Sequence, residues 1–270
     1  MSKIWFVTGA SKGFGRIWSE AALKRGDKVA ATARKPADVQ DLAETYGDLV
    51  LPLTLDVTDR AAVFAAVEQA NAHFGRIDVV VNNAGYGQFG MIEELSEDEA
   101  RAQIETNLFG ALWVLQAAVP VLRAQGSGHL LNVTSIGGLT AMANIGIYNA
   151  SKWALEALSQ SLAREVADFG VKVTAIEPAG YSTDWSGPSA AHATPIAAYE
   201  PLRALRNEQR AKMKAGDPHN TGDAILQIVD AENPPLRFFL GSTALQLIRR
   251  DYESRFADWE AWNELSAKSE

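Results

Sequence analysis

A tyrosine and a lysine stand four residues apart in the segment Tyr148-Asn149-Ala150-Ser151-Lys152. On a helix, side chains with this spacing lie on the same face. A free tyrosine has a pKa of about 10, and a neighbouring ammonium group lowers that pKa because it favours the phenolate. We therefore expect Tyr148, beside Lys152, to act as a general acid or base near neutral pH. The alternative is a pair without a chemical role on an exposed helix.

Glycines near the start of the chain predict a turn that binds a phosphate. They lie in Thr8–Gly15, directly after the apolar stretch Lys3–Val7 and at the start of a predicted helix. Glycine permits a tight turn and the close approach of a ligand, and the N–H groups at a helix start attract anions. This strand–loop–helix order predicts a dinucleotide site, and a purely structural turn is the alternative. The candidate binding residues are Gly9, Ser11, Lys12, Gly13, Phe14 and Gly15.

The end of the second predicted strand indicates which dinucleotide binds. A carboxylate there binds the ribose 2′-hydroxyl of NAD, whereas an arginine accommodates the 2′-phosphate of NADP. Here Ala33 is followed by Arg34 and Lys35, with no acidic residue. The guanidinium of Arg34 can bind a phosphate through two donors, and Lys12 could add a second positive charge. We therefore expect NADP(H) in preference to NAD(H).

Short apolar stretches alternate with longer periodic segments along the whole chain. Nearly continuous apolar stretches are typical of strands that are covered on both faces. The predicted strands are Lys3–Val7, Lys28–Ala33, Leu49–Leu55, Asp78–Val81, His129–Thr134, Val171–Ile176 and Leu236–Leu240. The predicted helices are Phe14–Arg25, Asp38–Tyr46, Arg60–Phe74, Glu97–Ala124, Tyr148–Phe169, Tyr199–Lys214, Gly222–Ala231 and Ala244–Ser266. This order predicts an α/β fold with a doubly wound parallel sheet of about seven strands and helices on both faces.

The composition limits the class of protein. A chain of 270 residues with 47% hydrophobic residues can bury a substantial core. The sequence contains no cysteine, which excludes disulfides and thiolate metal ligands, and we expect no metal site. A net charge of −8 without a cluster of Lys and Arg argues against a nucleic-acid partner. No apolar segment is long enough to cross a bilayer and the N-terminus does not resemble a signal peptide, so we expect no membrane contact and a cytoplasmic location.

Polar residues follow several of the predicted strands, and parallel strands end at a common edge. Asp56 and Val57 follow the third strand, Asn83 the fourth, and Ser135 the fifth. Ligands of doubly wound sheets bind outside this edge. Ser135 precedes Tyr148 by thirteen residues, so its hydroxyl could return to the helix start and hydrogen-bond a substrate oxygen. Individually such residues are common in turns and caps, but their joint placement predicts a ligand site.

Together these motifs resemble the short-chain dehydrogenase/reductase family, from residue 3 to about residue 240. The resemblance rests on Thr8–Gly15, Asn82–Gly85, Asn107, Ser135 and Tyr148–Lys152, which follow the family's order. It implies a single Rossmann-type domain over residues 1–270 with a seven-stranded sheet. Residues 1–127 would mainly bind the cofactor, 128–240 would form the catalytic and substrate half with a lid over 182–216, and 241–270 would form a helical tail. The Ala-, Ser-, Pro- and Gly-rich stretch at the start of the lid also fits an ordinary surface loop.

The resemblance further implies a role for each site residue. Tyr148 would exchange the proton of the substrate oxygen as hydride moves to or from the nicotinamide. Lys152 would lower the Tyr148 pKa and bind the nicotinamide ribose, whereas Ser135 would orient the substrate oxygen. Asn107 would hold a water connected to Lys152. Arg34 would bind the 2′-phosphate, Asn83 would border a ribose, and the remaining implied cofactor contacts are Asp56, Val57, Ala84, Gly85, Pro178, Gly180 and Thr183.

These features predict a ketoreductase or alcohol dehydrogenase within an NADP-preferring, carbonyl reductase-like subgroup. Its substrate would be a hydrophobic or aromatic ketone or secondary alcohol, bound in a largely apolar pocket. The expected pocket residues are Tyr86, Gln88, Phe89, Ile136, Met142, Ile145, Ala179, Tyr181 and Trp185. Ala179 stands where the family usually has glycine and Ala143 where proline is common, and both concern the fit of the substrate.

Two other functions remain compatible with the sequence: a nucleotide-binding sensor without turnover, and a related epimerase or dehydratase. The helical segments near residues 107–124 and 148–169 carry apolar residues on more than one side. In the family such helices pair across a subunit interface, which predicts a homodimer or homotetramer. A monomer with deeply buried helices would show the same pattern.

Overall fold

Seven parallel strands form one sheet, and helices cover both of its faces. The computed structural model describes residues 2–183, 185, 187, 189–212 and 214–269. The strands are β1 Ile4–Val7, β2 Lys28–Ala33, β3 Val50–Thr54, β4 Val79–Asn82, β5 Gln88–Phe89, β6 Gly128–Val133, β7 Val171–Pro178, β8 Ala191–His192 and β9 Arg237–Leu240. The large sheet has the order β3-β2-β1-β4-β6-β7-β9, and β5 pairs with β8 separately. The predicted α/β fold with a seven-stranded parallel sheet is therefore confirmed.

Alternate residues of the central strands supply two cores. The helices are α1 Gly13–Arg25, α2 Ala37–Tyr46, α3 Arg60–Phe74, α4 Glu97–Ile104, α5 Gly110–Gln125, α6 Gly146–Glu165, α7 Glu200–Ala211, α8 Gly222–Asp230 and α9 Ala244–Ala267. Trp5 packs with Trp18 of α1 and with residues of α2 and α8. The next residue, Phe6, points to the other face, where it packs with Val67 of α3 and with α5. The sheet is thus enclosed on both faces, and ligands of such sheets bind at the strand ends.

α4 and α5 are joined by a π-helical turn over Glu105–Phe109 into one continuous helix. The sequence predicted a single helix over Glu97–Ala124 and did not reveal this turn. Within Glu97–Gln125, an 18-residue window has a mean hydropathy of 1.3, so by length and composition this helix could cross a bilayer and the expectation that no apolar segment is long enough is wrong. Helices in the core of a folded domain have the same properties, and Leu122 is fully buried against the sheet.

Aromatic side chains on the helices predicted to pair between subunits are partly exposed. Phe109 is 37% exposed and stacks on Trp113, with ring centres 5.7 Å apart. Trp153 of α6 is 39% exposed. These side chains are compatible with an interface, and the homodimer or homotetramer stays a prediction.

The helix α3 has the bounds predicted from its end signals. Asp59 caps its start and accepts a hydrogen bond from the Ala62 N–H at 3.0 Å, and Gly75 ends it with a φ of 82°. We predict that Asp59→Ala lowers the free energy of unfolding by about 1 kcal/mol, because the Ala62 N–H loses its partner. Urea unfolding measures the change, with Glu68→Ala at an exposed position of the same helix as control. Equal effects of the two substitutions would contradict the capping role.

Candidate active site

The side chains of Tyr148 and Lys152 lie together where the start of α6 meets the carboxyl end of β6. Each residue is only 6% exposed. Lys152 Nζ donates a hydrogen bond to the Val133 carbonyl oxygen at 2.7 Å and lies 5.9 Å from the centre of the Tyr148 ring. The two side chains therefore share one helix face, as their spacing predicts, and that face is buried.

Burial determines how this pair is protonated. It raises the pKa of Tyr148 to about 12, and a hydrogen bond with Ser135 acts in the opposite direction. It lowers the pKa of Lys152 to about 8, an effect that the carboxylate of Glu156 opposes. The pKa of Tyr148 therefore lies above its usual value and not below it as predicted, because loss of solvation outweighs the hydrogen bond with Ser135. Tyr148 carries its proton at neutral pH.

Ser135 reaches Tyr148 because the chain turns tightly after β6. Its hydroxyl accepts a hydrogen bond from the Gly137 N–H at 3.0 Å. A Cβ on Gly137 would lie 2.8 Å from Asn149 Oδ1 and 3.4 Å from both Ser135 Oγ and Tyr148 Cε1. Only a glycine allows this backbone to pack so closely against the start of α6, and the turn thus places the serine hydroxyl beside the phenol.

Asn107 lies in the π-helical turn and is almost fully buried. Its Nδ2 donates to the Tyr86 carbonyl at 3.0 Å and to Ser151 Oγ at 3.2 Å, and its Oδ1 accepts from the Tyr86 N–H at 3.1 Å. A Cβ on Gly85 would lie 3.0 Å from Asn107 Oδ1 and 3.7 Å from Lys152 Nζ. The structure therefore brings Asn107 and Lys152 to the same small space beside Gly85. The water that Asn107 would hold there stays a prediction.

The glycine-rich loop has the conformation that a bound pyrophosphate requires. Gly9 and Gly13 have φ values of 65° and 58°, a region that favours glycine. A Cβ on Gly13 would meet nothing within 4 Å, whereas one on Gly15 would lie 2.4 Å from Asn83 Nδ2. The side chain at the N-cap of α1 does not cap the helix, and helix N-termini of this kind attract anions. Open space, positive φ and this helix N-terminus together fit a dinucleotide.

The Asn83 side chain links two segments of the predicted cofactor site. Its Nδ2 donates to the carbonyl oxygens of Thr8 and Gly9, each at 3.0 Å. Thr8 Oγ1 in turn accepts from the N–H groups of Asn83 and Ala84, also at 3.0 Å. The Asn83 amide therefore ties the segment after β4 to the glycine-rich loop, and its place beside a ribose stays a prediction.

The other predicted cofactor residues lie at the ends of their strands. Arg34 is exposed after β2 and Asp56 is exposed after β3. Val57 is buried and packs against Gly110, where a Cβ would meet it at 2.6 Å. Pro178 ends β7, and the segment that contains Gly180 and Thr183 follows. All of them belong to the edge of the sheet where the strands end.

An apolar cluster covers the phenol of Tyr148. The indole of Trp185 lies 4.8 Å from the Tyr148 ring and 5.3 Å from the Phe89 ring, between ring centres. Ile145 and Met142 belong to the same cluster. A cavity of about 280 Å³ shares Met142 with it and is also lined by Met91, Ala143 and Tyr199. The structure thus brings Met142, Ile145 and Trp185 together, and it places Ala143 in the wall of a cavity.

The other predicted pocket residues make contacts outside this cluster. Gln88 is buried towards α4, and Ile136 and Ala179 pack beneath α9. Tyr181 lies against the glycine-rich loop. Tyr86 binds Asn107 through its backbone. The sequence did not reveal these contacts, and a place for these residues in the substrate pocket stays a prediction.

The predicted lid is attached to the rest of the chain by contacts that the sequence did not reveal. β8, within the lid, pairs with β5. The carboxylate of Glu94 accepts hydrogen bonds from Arg203 of α7 and from the Ile196 N–H, the latter at 2.8 Å. Glu94 and Arg203 are 109 residues apart, so no local signal could have paired them. The lid residues Asp184, Ser186, Pro188 and Met213 lie outside the described residues.

Comparisons with known proteins agree with this site. The short chain dehydrogenase family matches residues 3–193. Oxidoreductase BOA17 of Botryotinia fuckeliana is 40% identical over 273 residues and covers 100% of both chains. A solved short-chain dehydrogenase from Streptomyces avermitilis superposes with a TM-score of 0.93 at 37% identity, covering 100% of this chain and 98% of its own. An alcohol dehydrogenase from the archaeon Thermococcus sibiricus, solved with 5-hydroxy-NADP, gives a TM-score of 0.76 at 27% identity, covering 90% and 98%.

The chain therefore belongs to the short-chain dehydrogenase/reductase family. It is an oxidoreductase with a Rossmann fold.

The depressed pKa of Lys152 predicts a specific pH dependence of stability. A group whose pKa is lowered on folding destabilises the folded state at low pH, and this cost disappears between its folded and unfolded pKa values. We therefore predict that wild type gains about 3 kcal/mol of unfolding free energy relative to Lys152→Met as the pH rises from about 8 to 10.5. Denaturant unfolding over this range measures the difference, with Lys24→Met as an exposed control. A difference that does not change with pH would contradict the burial of a charged lysine.

Proposed function

We propose that the protein is an NADP(H)-dependent ketoreductase that reduces a hydrophobic ketone, with Tyr148 as the proton donor. The observation that carries this proposal is the buried, protonated Tyr148, which is hydrogen-bonded with Ser135 and covered by an apolar cluster. A proton donor of this kind needs a substrate oxygen and an environment without water. We expect the substrate oxygen, and an environment without water, where the glycine-rich loop and the end of β6 meet.

The proposed chemistry divides the work between the cofactor and the protein. A bound nicotinamide cofactor supplies the hydride that reaches the carbonyl carbon. Tyr148 gives its proton to the carbonyl oxygen, so that no alkoxide charge remains. The Ser135 hydroxyl donates a hydrogen bond to the same oxygen and orients it. The Lys152 ammonium then stabilises the phenolate left on Tyr148 until a proton returns.

The protonation states favour ketone reduction near neutral pH. Tyr148 has a pKa of about 12 and is ready to donate, whereas alcohol oxidation needs its phenolate. Lys152, with a pKa of about 8, is largely charged at pH 7 and loses its charge at moderately alkaline pH. We therefore expect reduction to decline above about pH 8 as Lys152 loses its proton.

The preference for NADP(H) rests on Arg34 and on one structural relative. Arg34 is exposed directly after β2, with Lys35 beside it and no carboxylate at the strand end. A planar guanidinium there can bind the two oxygens of a 2′-phosphate. The Thermococcus sibiricus relative carries an NADP derivative. These observations support NADP(H) over NAD(H).

The substrate class follows from the surroundings of Tyr148. Phe89, Met142, Ile145 and Trp185 provide apolar contacts, and the neighbouring cavity of about 280 Å³ is also largely apolar. Such walls bind hydrocarbon or aromatic groups and leave the carbonyl as the polar end of the substrate. A hydrophobic or aromatic ketone, or the matching secondary alcohol, fits this arrangement.

Tyr148→Phe removes the proton donor and little else. We predict a fall in kcat of at least about 100-fold, because general acid catalysis contributes factors of this size, while NADPH binding stays within a few-fold of wild type. NADPH oxidation with a panel of aliphatic and aromatic ketones measures turnover, and fluorescence titration measures binding. Substantial residual turnover would remove Tyr148 from the acid role. Tight NADPH binding by wild type without any turnover across the panel would instead indicate a sensor.

Arg34→Asp tests the choice of cofactor. We predict that kcat/KM with NADPH falls by about 30-fold or more, because a charge-assisted phosphate contact is replaced by repulsion, and that kcat/KM with NADH rises. Arg101→Asp, an exposed change of the same charge on α4, serves as control and should alter neither value. If the ratio of kcat/KM with NADPH to kcat/KM with NADH is unchanged in Arg34→Asp, another group binds the 2′-phosphate.

A further inference from the structure

Two buried glutamates lie behind Lys152 and have no part in the chemistry described so far. Glu156 is on α6, one turn after Lys152, and Glu177 is near the end of β7. They are 4% and 0% exposed. Arg237, at the start of β9, donates a hydrogen bond from Nε to Glu156 Oε2 at 3.0 Å. The same Nε lies 3.6 Å from Glu177 Oε1, so one guanidinium group faces two carboxyl groups.

The hydrogen bonds of this cluster do not balance if both glutamates are ionised. Glu156 Oε1 and both oxygens of Glu177 are buried without a hydrogen-bond partner among the described residues. Two adjacent buried carboxylates repel each other, and neither cation nearby hydrogen-bonds Glu177 within the described part of the chain, because Arg237 Nε bonds Glu156 and Lys152 Nζ bonds the Val133 carbonyl. A proton on one carboxyl group removes this repulsion and turns an unpaired oxygen into a donor. In agreement, burial and the neighbouring Glu156 raise the pKa of Glu177 well above its usual range.

The charge that remains acts on Lys152. The Glu156 carboxylate favours the ammonium form of Lys152 against the effect of burial. The turn Ile136–Gly138 packs against the same part of α6 and carries no charged side chain. On α9, Arg255 donates to the Leu139 carbonyl and forms an ion pair with Asp251. Within the described residues, Arg237 on β9 forms an ion pair with Glu156 and lies beside Glu177 on β7.

We propose that Glu156 and Glu177 hold one proton between them and that the negative charge left on Glu156 keeps Lys152 protonated at neutral pH. The pair thereby sets the upper pH limit of the reaction, a role that rests on the proposed ketoreductase function. Both glutamates are positioning residues that act through Lys152 and touch neither substrate nor cofactor. The shared proton adds no reagent to the reaction, because it stays within the pair during turnover.

Two matched substitutions separate the effect on Lys152 from a purely structural role. Glu156→Gln and Glu177→Gln each leave one carboxylate beside Arg237, so both should fold. Glu156→Gln moves the charge away from α6 to β7, whereas Glu177→Gln leaves it on Glu156. We predict that the titration midpoint of Lys152 falls by about one pH unit in Glu156→Gln and does not fall in Glu177→Gln.

The titration of the lysine side chain gives a readout that does not need turnover. NMR of protein with ¹³C at the lysine ε-carbons follows Lys152, whose signal is assigned by its loss in Lys152→Met. With a ketone that the wild type reduces, the pH at which kcat declines should shift by the same amount as the Lys152 titration midpoint. Glu165→Gln, an exposed change on the same helix, is the control and should shift neither. An equal shift in both test variants, or none in Glu156→Gln, would overturn the proposal.

The shared proton has a second consequence for stability. A group whose pKa is raised on folding stabilises the folded state at low pH, and this contribution is lost as the pH rises towards the folded pKa. Wild type should therefore lose more stability than either variant between about pH 5 and about pH 8.5. If the free energy of unfolding depends on pH in the same way in wild type, Glu156→Gln and Glu177→Gln, no proton is shared. If wild type reduces no ketone, only the proposed function fails. The NMR and stability results still show whether Glu156 and Glu177 share a proton that affects Lys152.

Discussion

The buried ammonium group of Lys152 is the constraint on which the rest of the site depends. A charge that is almost fully removed from water must find partners within the fold. Lys152 finds one in the Val133 carbonyl at the end of β6, and the Glu156 carboxylate favours its charge from one turn further along α6. These interactions hold the start of α6 against the end of β6. Tyr148 and Ser135 meet because Tyr148 lies close to Lys152 in the sequence and Ser135 lies close to Val133.

The parallel sheet supplies the remaining parts of the site at the same edge. β1 leads into the glycine-rich loop, and β4 leads into Asn83. Hydrogen bonds between Asn83 and Thr8 connect these two segments. The π-helical turn places Asn107 beside this edge, where it holds the Tyr86 backbone and Ser151. Most of these bonds involve backbone groups, so the polar parts of the site are positioned before any ligand binds. Preorganisation of this kind reduces the cost of arranging the groups during the reaction.

The architecture could be predicted from the sequence because its signals are local. Apolar stretches located every strand of the large sheet to within about two residues, and the Asp59 and Gly75 signals gave the bounds of α3. The common face of Tyr148 and Lys152 followed from helical spacing alone. These features depend on neighbours within a few positions along the chain.

Predictions failed where the outcome depends on burial or on distant residues. The pKa of Tyr148 rises because the whole pair is desolvated, and spacing cannot show how deeply a helix face is buried. The π-helical turn has no sequence signal of its own. The contacts of Gln88 with Glu99 and of Tyr181 with Phe14 join distant parts of the chain, so no local pattern shows them. The pairing of the two buried glutamates joins α6 to β7, and it too requires the tertiary structure.

The central claim is that this site transfers hydride from a nicotinamide to a carbonyl carbon. Mass spectrometry of the alcohol formed from an unlabelled ketone, with NADPH that carries deuterium at either C4 position, tests it most directly. The account predicts that one of the two labelled forms delivers a single deuterium to the carbinol carbon. An alcohol without deuterium from both labelled forms would contradict it.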